Sequence, residues 1–241
     1  MNEHSELFKG VGKLKDFQLQ IDPPITPKQQ PIRRVPYHTK QKASEKLKRL
    51  QKRDIIEPVE GPTTWLNPIV ATPKKDGSIR LCLDMRKANE AVIRERHVIP
   101  KMEDITTELY GATHFSKIDL REGYHQIELG EESRHITTFA THERIYRYKR
   151  LIYGVNSGFE AFQKQIKLVI SGISGTKNIS DDILVWGRNQ QEHDNRLKQV
   201  LIKLQDKGLR VDPIKYFNVH SITFAGHLLS AEGLNLDPAK I

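Results

Sequence analysis

The sequence predicts an α+β fold with a mainly antiparallel sheet. Helix-like and strand-like stretches are interleaved along 241 residues, and several neighbouring strands are separated only by short turns. Short turns join antiparallel strands, whereas parallel neighbours need a long crossover. No internal repeat or low-complexity segment interrupts the pattern. The length suffices for one large domain or two smaller ones. Lys plus Arg number 39 against 30 Asp plus Glu, and the net charge of +9 suits a polyanionic partner. A single cysteine, Cys82, excludes an internal disulfide and a Cys-rich zinc site. Neither a signal-peptide core nor an apolar run of about 18 residues occurs, so a soluble, intracellular protein without membrane contact is expected.

Residues 21–37, IDPPITPKQQPIRRVPY, hold five prolines and little periodicity, and read as an extended arm or a linker. In TKQKASEKLKRLQKRDIIEP, Ala43, Leu47 and Leu50 recur at i, i+4, i+7 among seven basic residues. That is an amphipathic helix ending before Pro58, its basic side either a solvated face or a nucleic-acid contact. Pro68 to Thr72 and Ser78 to Asp84 predict a hairpin closed by Lys-Lys-Asp-Gly. Met102, Ile105 and Leu109 space a helix stopped by Gly111, after which HFSKIDL supplies a strand that delivers Asp119. GYHQIEL and HITTFATHERIYRYKRL alternate apolar and polar residues and predict antiparallel strands. Ser157 and Glu160 form a capping box that opens a helix with Phe159, Phe162, Ile166 and Val169 on one face. Leu197, Val200, Leu201 and Leu204 mark a further helix with Gly208 as its C-cap, and a last hairpin is predicted around KYFNVHSITFAGHLLSAEG.

The stretch NISDDILVWG, 178–187, places two carboxylates side by side at a predicted hairpin tip. Adjacent carboxylates repel, so the pair needs full solvation or a compensating cation. If the strand ending at Asp119 lies beside this hairpin, three carboxylates converge, a cluster that divalent cations would neutralise. Hard oxygen ligands suit Mg²⁺, which takes one or two carboxylates plus substrate phosphates. Two such ions about 4 Å apart would stabilise both the attacking and the leaving oxygen of an in-line phosphoryl transfer. Taken alone, Ser-Asp-Asp is also an ordinary polar turn. His114 and His125 flank Asp119, but no H-E-x-x-H spacing, P-loop or GxGxxG occurs.

These stretches, with DIIEPVEGPTTWLNPIVATPKKDGSIRLCLDMRKAN, FSKIDLREGYHQIEL, YRYKRLIYGVNSGFEAFQ, ISDDILVWG and FAGHLLSAEGL in that order, give the chain its likeness. Over residues 12–241 it resembles the reverse transcriptase of gypsy-type LTR retrotransposon polyproteins. The resemblance implies a right-hand polymerase fold with fingers, an antiparallel palm sheet and a largely absent thumb. Residues 1–20 would be a lead-in. Residues 21–118 would be mainly fingers, with the N-terminal arm and first palm strand. Residues 119–241 would be mainly palm, with part of the fingers and the primer-grip hairpin, ending where the thumb begins.

The resemblance also implies an RNA-directed DNA polymerase that adds dNTPs to a primer 3′-end on an RNA or DNA template with two Mg²⁺ ions, Mn²⁺ being the substitute. Asp119, Asp181 and Asp182 would be the catalytic metal ligands, with the Leu120 carbonyl beside them. Lys75 and Arg80 would grip the triphosphate, and Tyr124 would exclude the ribose 2′-hydroxyl. Tyr153 and Gly154 would floor the nucleotide pocket, with Gln163 near the template side. Phe224, Ala225, Gly226 and His227 would form the primer grip. A solvated turn is the alternative for Lys74 and Lys75, a core position for Tyr124, and a structural role for Gln163, Arg86 and Asn89. Ile179, Phe159 and Ala225 replace the commoner Tyr, Pro and Leu. A cytoplasmic location is implied, or a virus-like particle for an intact element. The rival reading is a catalytically inactive, truncated remnant that binds nucleic acid through its basic surface.

Overall fold

A computed structural model describes residues 2–74, 77–97, 100, 102–213 and 216–236. The chain forms two compact units and crosses between them repeatedly. The first comprises Met1–Leu14, Arg96–Gln126 and Glu160–Ile241, the second Lys15–Glu95 and Ile127–Phe159. No single cut along the sequence separates them, because residues 96–118 belong with the first unit and 127–159 with the second.

A 3₁₀ turn at Asn2–Phe8 and strand β1 (Leu14–Phe17) precede the proline-rich stretch, which follows the second unit through isolated bridges, Ile21 to Val92 and Gln29 to Leu66. Helix α1 (Tyr37–Lys52) buries Thr39, Ala43, Leu47 and Leu50, the stripe read from the sequence. Burying each leucine contributes roughly 1.5–3 kcal/mol, which offsets the helix's otherwise polar character. Strands β2 (Ile56–Pro58), β3 (Asn67–Pro73) and β4 (Ile79–Leu83) follow. Helix α2 (Met102–Glu108) ends ahead of Gly111, whose φ of +77° suits glycine, and β5 (His114–Asp119) comes next.

The alternation in GYHQIEL does not yield one strand. Residues Gly123–Gln126 form a 3₁₀ turn, and only β6 (Ile127–Leu129) is extended. Two contacts in the first unit explain this. A Cβ at position 123 would lie 2.7 Å from Phe162 Cζ, and the buried Gln126 donates Nε2 to the carbonyls of Arg121 and Arg210 at 2.8 and 2.7 Å. HITTFATHERIYRYKRL is likewise divided. Helix α3 (Glu131–Arg134) runs into a 3₁₀ turn at His135–Thr137, before β7 (Phe139–Ala140) and β8 (Ile145–Tyr148). Thr137 Oγ1 donates to Arg134 O and accepts from Tyr148 N, so side-chain bonds replace ladder bonds there.

Helix α4 (Gly158–Ile170), strands β9 (Thr176–Ile179) and β10 (Asp182–Gly187), and helix α5 (Gln190–Asp206) complete the central part. Asn189 caps α5 by accepting the Glu192 N–H, and Gly208 with φ +71° follows its end. Strands β11 (Tyr216–Val219), β12 (Ser221–Phe224), β13 (His227–Ser230) and β14 (Gly233–Leu236) close the described chain.

In the second unit the strand order is β2-β8-β7-β3-β4, antiparallel except for the β3–β7 pair, and β1 pairs with β6. The first unit holds an antiparallel sheet, β11-β5-β10-β9, and a meander, β12-β13-β14. Phe115, Leu184 and Trp186 on one face of that sheet pack with Met102 and Ile105 of α2 and with Ile222, Phe224 and Leu229 of the meander. On the other face, Ser116 meets His193 of α5, Oγ to Nε2 at 2.8 Å, while His193 Nδ1 bonds Asp194. Among the described residues no helix is long and apolar enough to cross a membrane.

Candidate active site

Asp119 ends β5 and Asp182 opens β10, and the antiparallel register sets the two directly opposite each other. Leu120 N donates to Asp181 O at 2.8 Å, stitching the segment after β5 to the hairpin tip. The three carboxylate-bearing residues thus share one end of the sheet. The hairpin turns through Ser180 and Asp181, with Ile179 paired to Asp182. Ser180 has φ +56°, a conformation that hairpins ordinarily assign to glycine and that costs an L-residue about 1–2 kcal/mol. Gln163 holds it there: Oε1 accepts the Ser180 N–H at 2.8 Å, and Nε2 donates to Asn178 O at 2.7 Å. Ile179 packs against the α2 and meander core, so an aliphatic residue seats the hairpin where the related motif has tyrosine.

Lys117 stands two residues before Asp119 on β5, and strand periodicity puts both on one face. Its Nζ lies 2.8 Å from Asp182 Oδ2 and 3.5 Å from Asp119 Oδ1, on a side chain only 19% exposed. Burial alone would lower the lysine pKa, but Asp182 and then Asp119 raise it above its ordinary value. Burial, followed by the neighbouring Asp119, pushes the Asp182 carboxyl up to about 6 against the opposing pull of Lys117.

Asp119 Oδ1 is buried without a hydrogen bond; at 3.5 Å the lysine is an electrostatic neighbour rather than a bonding partner. Among the described residues no three His, Cys, Asp or Glu side chains form a ready-made metal cage. Mg²⁺ does not require one, since it binds through one or two carboxylates plus substrate phosphates. A buried carboxylate oxygen without a hydrogen bond, on the residue paired with Asp182, fits such an ion.

Tyr124 is 7% exposed and stacks on Phe162, with ring centroids 5.0 Å apart and planes within 7°. Gln163 is fully buried, and its amide serves the hairpin rather than facing a nucleotide. Leu120 is buried and bridged to Val211. Phe224 is buried, and Ala225-Gly226 form the two-residue loop between β12 and β13, with φ +48° and +83°. Positive φ at both positions marks a type I′ turn, which leaves His227 as the first residue of β13.

The second unit carries the other expected residues. Arg80 is exposed on β4 opposite Thr72, and Lys75 lies outside the described residues. Beside that hairpin Lys42 donates to Gly77 O at 2.7 Å, and Lys42, Lys46, Arg49 and Lys74 line one groove, so the basic side of α1 faces the hairpin. Tyr153 is 61% exposed, and Gly154 has φ +97°. Asn89 fixes that turn by donating to Gly154 O at 2.7 Å and accepting Asn156 N–H at 2.9 Å. Arg86 is bound through two nitrogens to Asp84, which makes both motif residues structural partners here.

Sequence reasoning passed over Lys117 and the hairpin role of Gln163. The first was legible: Lys117 and Asp119 are two apart in a predicted strand and must share a face. The second was not, because a partner of Gln163 on another element is invisible to local pattern.

The antiparallel sheet that carries the opposed carboxylates has counterparts among solved structures. The structure is similar to the foamy viral protease–reverse transcriptase in complex with double-stranded DNA, with a TM-score of 0.86 and 23% identity over 99% of this chain and 43% of that chain. It is equally similar to the same protein with an RNA/DNA hybrid, with a TM-score of 0.86 and 22% identity over 99% and 33% of the two chains. The fold is that of polymerase fingers and palm. The chain belongs to the family described as reverse transcriptase (RNA-dependent DNA polymerase), whose model matches residues 72–229. Its relatives include the retrovirus-related Pol polyprotein from transposon 412 of Drosophila melanogaster, 31% identical over 98% of this chain and 19% of the polyprotein. The gypsy polyprotein of the same organism is 31% identical over 81% of this chain and 20% of its own length. The chain therefore spans about a fifth of these relatives.

Proposed function

We propose that the chain is an RNA-directed DNA polymerase that extends a primer 3′-end with deoxynucleotides on an RNA or DNA template. The observation that supports this most directly is the face-to-face register of Asp119 and Asp182, with Asp181 in the adjoining turn, within a chain of the reverse transcriptase family. Two Mg²⁺ or Mn²⁺ ions, when held by Asp119, Asp181 and Asp182 with the Leu120 carbonyl at hand, would supply activation of the primer 3′-hydroxyl and neutralisation of the leaving pyrophosphate. The chain's own residues do the positioning. Gln163 fixes the turn that presents Asp181. The Tyr124 ring, braced by Phe162, is a stiff wall against a 2′-hydroxyl. Arg80 and Lys75 supply cations for the triphosphate. The backbone of the Ala225-Gly226 turn holds the primer end. The excess of basic residues serves the phosphate backbone, and related structures were solved with double-stranded DNA and RNA/DNA hybrid.

Primer extension on a homopolymer RNA template tests this. Mg²⁺-dependent incorporation is expected, falling to background in Asp181→Asn and Asp182→Asn. Incorporation that survives either substitution, or none at any Mg²⁺ concentration, would falsify the catalytic reading.

A further inference from the structure

Beside the carboxylates proposed to hold metal stands a cation of the protein's own. Lys117 Nζ is within hydrogen-bonding distance of Asp182 Oδ2, and Asp119 Oδ1 is its next acidic neighbour at 3.5 Å. This is no wandering surface lysine. In the β5–β10 ladder Lys117 faces Leu184 while Asp119 faces Asp182, so Lys117 sits diagonally across from Asp182 on the same face. Tyr216 of β11 is its partner on the other side, so neighbouring strands flank Lys117 on both sides. The ammonium therefore borders the space between two carboxylates in which a divalent ion would bind.

We propose that Lys117 is a built-in counter-cation that competes with divalent metal for Asp182. The proposal rests on the metal-dependent polymerase reading above. In the metal-free chain the ammonium neutralises the paired aspartates and keeps the strand ends together. A divalent ion bonding Asp182 at about 2.1 Å brings twice the charge, and two cations repel across so short a gap. An ion that takes Asp182 Oδ2 therefore displaces Lys117 from it, and one that takes the other oxygen still meets the repulsion of the ammonium. The lysine lowers apparent metal affinity, and substrate phosphates, where present, add ligands of their own on the metal's side of the competition.

Mn²⁺ titration of the full chain at fixed pH, read from the electron paramagnetic resonance signal of free Mn²⁺, tests this without turnover. Removing a partly exposed ion pair of this kind should tighten binding by up to about fivefold in Lys117→Met, and Lys117→Gln should follow it. Lys117→Arg, which keeps the charge, should stay near the parent. The thermal midpoint of the metal-free Met variant should drop, and Mn²⁺ should raise it by more than it raises the parent's. Binding that is lost in Asp119→Asn but unchanged or weaker in both neutral lysine variants, with circular dichroism showing them folded, overturns the proposal and leaves the metal reading standing. Binding that is indifferent to Asp119 overturns both.

Discussion

Asp84 and Asp182 shift in opposite directions because of what faces them: burial and then Asp119 push Asp182 up to about 6, whereas Asp84 is held down. Hydrogen bonds from Arg86, with Arg33 adding its charge, hold Asp84 at about 2, against burial that would raise it. Its folded pKa lies below the unfolded 3.8, so its contribution is full above about pH 5 and disappears as pH falls through 3.8 toward 2. Both arginines are largely solvated, which limits the effect to about 1 kcal/mol. Urea unfolding of Asp84→Asn should show that deficit at pH 7 and converge with the parent near pH 2. A gap that widens with acid would refute the assignment. Gln163 is a second residue whose worth lies in its partners. Gln163→Met conserves volume but strips Ser180 N–H and Asn178 C=O of their bonds, and should cost about 2–4 kcal/mol in urea unfolding.

At the scale of elements, strand pairing and helix docking turn on a few backbone positions. Ala225 is an L-residue in a turn that asks for positive φ at both loop positions. Ala225→Asn or Ala225→Gly should raise stability by about 0.5–1 kcal/mol in thermal unfolding, since either residue tolerates that conformation better. A loss of stability would mean that the hairpin depends on the alanine methyl. Gly187 acts in the opposite sense. A Cβ there would collide with the His193 backbone, so Gly187→Ala must push α5 off β10 and should cost more than about 2 kcal/mol. The stripes of α1 and α5 were readable in advance. The turn at Gly123–Gln126 was not, because Phe162, which crowds Gly123, and Arg210, whose carbonyl accepts from Gln126, lie far along the chain.

For the whole molecule, charge and topology govern behaviour. With a net charge of +9, binding to an RNA/DNA primer–template should weaken steeply with salt, the log–log slope falling by roughly 0.9 for each phosphate neutralised. Fluorescence anisotropy between 50 and 300 mM salt, taken as roughly the range over which such contacts are lost, measures it; a flat response would exclude a phosphate-led interface. The sequence by itself determined the carboxylates, the apolar stripes, the short turns that demand antiparallel pairing, and the basic excess. Each of these is a property of residue type and near-neighbour spacing. Only the tertiary structure decided that Asp119 faces Asp182, that Lys117 reaches both, that Gln163 braces the hairpin, and that the chain interleaves its two units. Register and long-range contact are fixed by packing between segments far apart in the chain, and a one-residue slip of β10 would have sent its aspartate to the opposite face.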